Sequence, residues 1–310
     1  MELGYAFSSE EHTPNDLVRY AKLAEEAGFT FALISDHFHP WIDEQGQSPF
    51  VWSVIGAIAA TTSRLRLGTG VTCPIMRIHP AIIAQAAATS AAMMPGRFFL
   101  GLGAGEALNE HITGEHWPTA DIRQDMLEES VDIIRRLWQG EETNYWGEFY
   151  TVENARIYTL PKEPIPVYIA ASGKESAKLA GEIGDGLITT SPERKLVEEF
   201  EESGGKGKPK IAQATVCWAE SEEKALDIVY KYWPILGLPG ALHSDLPTPD
   251  HFMAASKLIK KDDIKGSIVL GPDPQKHIQQ IQEFADAGIE QVYIHQIGPD
   301  QEGFFKFYQQ

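Results

Sequence analysis

A carboxylate, two imidazoles and an indole crowd together in Ser35-Asp36-His37-Phe38-His39-Pro40-Trp41, just where the apolar run Phe31 to Ile34 ends. Such a set can contact a cofactor and move a proton. An imidazole with an ordinary pKa of about 6.5 accepts a hydroxyl proton at neutral pH, which is the task that alcohol oxidation sets. A second loaded strand end follows Phe98 to Gly103, where Gly103-Ala104-Gly105-Glu106-Ala107-Leu108-Asn109-Glu110 puts a carboxylate behind a turn with no bulky side chains. Small residues there let a flat ring lie close to the backbone. Glu106 is expected to be partly desolvated at that spot, which raises a carboxyl pKa and lets it deliver a proton near neutrality. Two loaded strand ends imply one active site.

Other readings of these residues compete. Asp36, His37 and His39 invite a metal, but residues one and three apart on a loop lack the helical HExxH geometry, and no further Cys or His cluster completes a site, so no metal is expected. A surface-loop histidine beside a capping Asp is the bland alternative. The glycines of Gly101-Leu102-Gly103-Ala104-Gly105 fall at i, i+2 and i+4, which fails the GxGxxG dinucleotide pattern. Ala170-Ala171-Ser172-Gly173-Lys174-Glu175-Ser176 closes a strand and opens a helix, and amides at a helix N-terminus form an anion site of the kind barrels use for cofactor phosphates. Gly70-Val71-Thr72-Cys73-Pro74 reads only as a small turn. Ser203 to Lys208 reads as a flexible surface turn and not a phosphate loop, because no helix follows it.

The elements that must position these residues alternate along the chain. Strands are expected near Leu3 to Phe7, Phe31 to Ile34, Leu65 to Gly70, Phe98 to Gly103, Val167 to Ala170, Gly186 to Thr189, Ile211 to Trp218 and Gln291 to His295. Amphipathic helices are expected at Asn15 to Ala27, Pro80 to Met93, Arg123 to Trp138, Lys174 to Ile183, Ser221 to Trp233 and Pro274 to Ala287. Eight strands alternating with helices predict an α/β fold, a TIM (β/α)8 barrel, with a doubly wound open sheet as the alternative. Residues 1–310 are read as one barrel domain carrying a hairpin insertion at 143–158 and a lid-like excursion over the barrel mouth at 237–265.

Composition agrees with a globular enzyme. With 310 residues, 43% of them hydrophobic, the chain can fill a large core. A formal net charge of -18 argues against nucleic acid and anionic membrane surfaces as partners. Neither a basic start followed by an apolar run nor a long membrane-spanning stretch is found, so a cytoplasmic address is expected. Cys73 and Cys217 lie far apart without CxxC spacing, which predicts two reduced, buried thiols.

With the strand ends located, the chain resembles the luciferase-like superfamily of flavin and deazaflavin enzymes, and within it the glucose-6-phosphate dehydrogenase family that uses coenzyme F420. The resemblance rests on Ser-Asp-His-Phe-His-Pro-Trp at 35–41, Gly-Ala-Gly-Glu-Ala-Leu-Asn-Glu at 103–110, Pro-Val-Tyr-Ile-Ala-Ala-Ser-Gly at 166–173 and Gly-Asp-Gly at 184–186. It implies a homodimeric TIM barrel with insertions. It further implies that Asp36 contacts the deazaflavin, His37 transfers the proton, Trp41 packs over the reacting centre, Glu106 is the acid beside the ring and Glu10 an auxiliary carboxylate. Cys73, Ala104, Gly105, Asn109, Ser172, Gly173, Glu175 and Ser176 match cofactor-lining positions, although the family has a hydroxyl residue where Cys73 stands. Gly70-Val71 matches the family's non-prolyl cis peptide.

The substrate side departs from that pattern. Glu193, Leu242 and Gly266 stand where the family holds a sugar phosphate with cations, and Thr72 to Arg77 and Arg123 to Met126 look more like the related secondary-alcohol dehydrogenases. Thr190, Arg194, Lys195 and His243 are taken as substrate-side residues. The leading expectation is an F420-dependent dehydrogenase acting on a small-molecule alcohol, with a sugar-phosphate substrate as the first alternative. An FMN-dependent monooxygenase of the same superfamily is the second, and a non-catalytic flavin-binding protein the third.

Overall fold

The computed structural model describes residues 1–310. Strands β1 (Glu2–Phe7), β2 (Phe31–Ile34), β3 (Arg66–Thr69) and β4 (Phe98–Leu102) follow one another; β5 (Thr143–Trp146) and β6 (Thr151–Ala155) form a separate antiparallel hairpin. The chain then adds β7 (Val167–Ala170), β8 (Gly186–Thr189), β9 (Lys210–Cys217), β10 (Val269–Leu270) and β11 (Gln291–Gln296). The order β9-β11-β1-β2-β3-β4-β7-β8 closes on itself because β8 also pairs with β9, giving an eight-stranded parallel barrel with β10 appended to β9. Parallel strands covered on both faces read as unbroken apolar runs, and that explains why the short strands were visible in the sequence.

The two faces sort by the period of the strand. Phe31 and Leu33 point into the barrel with Phe99, Tyr168, Ile188 and Tyr293. Ala32 and Ile34 point outward into the 57-residue core between strands and helices. Aromatic rings fit inside because glycine makes room: a Cβ on Gly68 would lie 2.1 Å from the Phe99 ring.

The first and last barrel strands meet in register, with Glu2 opposite Gln291 and Tyr5 opposite Ile294. The helix Gln301–Tyr308 buttresses this seam. Tyr5 donates its hydroxyl to Gln301 Oε1 at 2.6 Å, Gln301 Nε2 donates to the Gln296 and Gly298 carbonyls, and Phe305 packs 4.8 Å from the Tyr5 ring.

Several elements depart from the expectations. Helices Val51–Thr61, Arg194–Phe200 and Gln301–Tyr308 were not anticipated. The first is apolar almost all round, so it lacks a polar face to mark its period. The stretch 237–265 folds as the short helices Gly240–Asp245, Pro249–Ser256 and Lys261–Ile264. Their apolar residues join Trp41, Leu108 and Trp233 in a second cluster beyond the strand ends. Ser203 to Lys208 is pinned and not flexible, because Lys208 Nζ donates to the Gly181 and Gly184 carbonyls at 2.9 and 2.8 Å and Gly205 is buried. No helix is long and apolar enough to cross a membrane.

Candidate active site

The C-terminal ends of β1 and β2 bring Glu10 and His37 together. Glu10 is buried, and its Oε1 lies 3.3 Å from His37 Nε2. Its other oxygen, Oε2, accepts from the Ser35 hydroxyl at 2.6 Å and the Ser8 hydroxyl at 3.1 Å. His37 Nδ1 faces the His39 carbonyl at 3.2 Å, and its ring sits 5.1 Å from that of Trp41. Trp41 is fixed in turn, since its N–H donates to Gln45 Oε1 while Gln45 Nε2 reaches the Tyr232 carbonyl. Asn109 Oδ1 accepts the N–H groups of both Phe38 and His39, so the loop between them is held from β4's side. Asp36, His37 and His39 turn to different partners, His39 Nδ1 meeting the Leu108 carbonyl.

Next to Glu10, Glu11 turns to the end of β11 and the loop after it. Its Oε1 accepts the Gly298 N–H at 3.0 Å and its Oε2 meets His295 Nε2 at 3.4 Å. Burial pushes the Glu11 carboxyl up, but the His295 hydrogen bond, the nearby His12 and the Gly298 N–H outweigh it and hold the group below the ordinary carboxylate range.

A buried ionic triad lies at the neighbouring ends of β2, β3 and β4. Asp36 Oδ1 pairs with Arg77 Nη2 at 2.8 Å, its Oδ2 accepts from Thr72 at 2.7 Å, and Arg77 Nε reaches Glu110 Oε1 at 3.4 Å. Arg77 also gives its backbone N–H to Glu110 Oε2 at 2.8 Å. Burial raises the Glu110 carboxyl above its ordinary value, against the lowering effect of Arg77. Arg77, Thr72 and Glu110 were not among the expected site residues. A lone arginine closing the apolar run Pro74-Ile75-Met76 after β3, between the acid-bearing ends of the neighbouring β2 and β4, was the available signal.

The Gly70–Val71 peptide is cis. The segment after it is clamped from outside, as Ser130 donates to the Pro74 carbonyl and Tyr150, from the hairpin, to the Ile75 carbonyl. Cys73 is buried and its thiol is pushed well up by burial, so it stands as a neutral thiol facing the turn Gly103–Gly105. Gly105 adopts φ +70°, and a Cβ there would lie 2.5 Å from Cys73 Sγ. Ala104 beside it is half-buried.

Glu106 is partly buried, on the turn that follows the end of β4 at Leu102. Asn109 Nδ2 approaches Glu106 Oε2 at 3.5 Å. The desolvated carboxyl of this segment is Glu110, four residues on.

His243 arrives from the helix Gly240–Asp245, its ring 5.7 Å from Trp41 and its Nε2 at the Ile235 carbonyl, and burial pushes its pKa down. Ser172, Gly173 and Glu175 are exposed at the start of the helix Lys174–Ile183, where Ser176 Oγ takes the N–H groups of Ser172 and Gly173. Thr190, Arg194 and Lys195 are exposed as well, and none is joined to His37, Trp41 or Glu106 by a hydrogen bond or ion pair. Lys195 shares a surface hollow with Glu193, Glu198, Glu199 and Glu202. The arrangement therefore has a proton-handling pair under an indole, a small-residue turn able to take a flat ring, and a helix N-terminus suited to an anionic tail.

A closed parallel barrel with its chemistry at the strand C-termini defines the class, and comparison with known proteins gives the family. The model of the luciferase-like monooxygenase family matches residues 1–291, and the chain belongs to that family. It is 35% identical over 320 residues to an F420-dependent glucose-6-phosphate dehydrogenase of Microbacterium testaceum, covering 99% of this chain and 95% of that one. It is 37% identical to F420-dependent glucose-6-phosphate dehydrogenase 2 of Rhodococcus jostii, covering 99% and 95%. Among solved structures, an F420-dependent secondary alcohol dehydrogenase in complex with an F420-acetone adduct superposes with a TM-score of 0.92 at 32% identity, covering 99% of this chain and 97% of that one.

Proposed function

We propose that this protein is an F420-dependent dehydrogenase that oxidises a neutral secondary alcohol to a ketone. The observation that carries the reading is the His37–Glu10 pair, Nε2 to Oε1 at 3.3 Å, beside the Trp41 indole. Coenzyme F420, when bound, supplies the carbon that accepts the hydride. The residues present fit it: a ring can lie over the small turn beside Cys73, the Asp36 carboxylate is held ready by Thr72 and Arg77, and the start of the helix Lys174–Ile183 suits an acidic tail. The His37–Glu10 pair takes the hydroxyl proton at its Nε2–Oε1 edge. Trp41, His243 and Phe252 wall the pair from water. Glu106, partly buried just past the turn, holds or delivers a proton at its carboxylate. The helices between 240 and 264 act on this reading as the roof that selects the alcohol.

One observation favours a second reading, a sugar-phosphate substrate. Arg123 is buried with the Pro118 carbonyl and the Ser244 hydroxyl as its partners instead of a carboxylate, and its Nε has no partner. Against it, Lys195, two residues from Glu193, lies among four glutamates. Steady-state reduction of F420 with 2-propanol and with glucose 6-phosphate, and the same assay with FMN, separates these readings. Higher kcat/KM for 2-propanol with F420 alone is expected. A higher value for the phosphosugar, lost in Arg123→Gln, would establish the second reading, and no F420 reduction by any alcohol or phosphosugar would overturn both.

A further inference from the structure

The Glu10 carboxylate divides its two oxygens. Both serine hydroxyls go to Oε2, from Ser35 at 2.6 Å and Ser8 at 3.1 Å, and only Oε1 is turned to His37. Ser35 is itself held, since it accepts the Ser9 N–H at 2.9 Å while Ser9 Oγ donates to the Ser35 carbonyl at 2.8 Å. This ladder crosses from the end of β1 to the end of β2, so it sets the spacing of the two strand ends as well as the rotation of the carboxylate.

The imidazole's protonation follows from stereochemistry. A carbonyl oxygen only accepts, so Nδ1, facing His39 O at 3.2 Å, carries a hydrogen. A bare Nε2 lone pair set against a carboxylate oxygen would be two acceptors facing one another. One proton therefore lies between Nε2 and Oε1, and with Oε2 taken by the serines no other edge of Glu10 is open to it.

We propose that Ser35 is a positioning residue that makes Glu10 and His37 a single proton-holding unit. The arrangement seen is the loaded form. Its shared proton leaves to solvent to give the base, and alcohol oxidation reloads it: the O–H bond breaks, its proton returns to the Nε2–Oε1 edge, and the carbon's hydride goes to the coenzyme as the carbonyl forms. The inference rests on the dehydrogenase reading for its use, but not for its geometry.

Nitrogen-15 NMR of histidine-labelled protein without coenzyme tests it, with His37 assigned through His37→Gln. In the unsubstituted protein Nδ1 should carry a hydrogen and Nε2 should be shifted by the shared proton. In Ser35→Ala, Oε2 keeps only the longer Ser8 bond at 3.1 Å and can compete with Oε1 for Nε2, so the Nε2 resonance should move and the two tautomers should mix. Ser35→Thr, which restores a hydroxyl, should return it. With 2-propanol and F420, Ser35→Ala should lose about ten- to hundredfold in kcat, the scale of one charge-assisted hydrogen bond, with KM nearly unchanged. Ser8→Ala removes the longer bond and should give the same displacement at smaller size, which keeps the test open even if Ser35→Ala does not fold. His37 resonances unmoved in both alanine variants would overturn the proposal. The NMR readout needs neither coenzyme nor alcohol, so a protein that never reduces F420 would overturn the proposed function and leave this result standing.

Discussion

Replacing Arg77 by Met removes the cation from between two buried carboxylates. Asp36 is 4% exposed and Glu110 is fully buried. After the change Asp36 keeps the Thr72 hydroxyl at 2.7 Å and Glu110 keeps the backbone N–H of residue 77 at 2.8 Å, so neither is stripped bare. Both nonetheless lose their countercharge. Removing one partner of a buried ion pair costs about 3–5 kcal/mol, and two stranded acids partly served by hydrogen bonds place this case at about 4 kcal/mol near neutral pH. The pH dependence gives the argument its sign. Burial already raises Glu110, and loss of the opposing Arg77 contribution raises it further. A folded-state carboxyl pKa above the unfolded one means that the folded chain binds more protons in between, so stability falls as pH rises through that window. Urea unfolding should therefore show a larger loss in Arg77→Met at about pH 8 than at about pH 5. The double variant Arg77→Met/Glu110→Gln should recover part of it, because a neutral amide oxygen still accepts the residue 77 N–H. A loss under about 1 kcal/mol, the scale of a surface pair, or one that is equal at both pH values, would refute the reasoning.

His12, His243 and His277 are each pushed below the ordinary 6.5, burial being the largest cause in every case. Their contribution to stability is whole above 6.5 and is lost as pH falls from there through the lowered folded values, so Tm should drop between about pH 7.5 and about pH 5.5. His12→Phe, which keeps the edge contact with Tyr20, should narrow that drop, and an unchanged difference would remove His12 from the account. Glu106→Gln should lower turnover by about 10²–10⁴ while F420 affinity stays within a few-fold, as expected for a lost positioned acid. Undiminished turnover in that variant would take Glu106 out of the mechanism.

The barrel strands were legible because a parallel strand covered on both faces is an apolar run bounded by turns, a form clearest in Phe31–Ile34, Phe98–Leu102 and Val167–Ala170. The roof was not, since helices as short as Lys261–Ile264 show less than two turns of periodicity. Val51–Thr61 was missed for the opposite reason, being apolar on nearly all sides. His37 and Trp41 were legible as residue types at a strand end, and Glu10 only through the family resemblance. The environment of each acid was not: Glu106 and Glu110 look alike in the chain, yet Glu110 is buried against Arg77 and Glu106 only partly buried. Arg77 pairs with acids 41 and 33 positions away, a distance over which sequence spacing carries no signal.

The seam between β1 and β11 makes the active site a late event in the life of the chain. Tyr5 and Gln301 are 296 positions apart, and Glu11, beside Glu10, is anchored to His295 and Gly298. While β11 is still being synthesised, β1 and β9 present open edges, and the carboxylates after β1 lack one of their two walls. Such long-range closure is slow and leaves strand edges open to wrong pairing until it happens. The last barrel strand is thus a keystone. A ribosome-bound chain that has already made Ser35, Asp36 and His37 holds the reagents of the site without the frame that lets them act together.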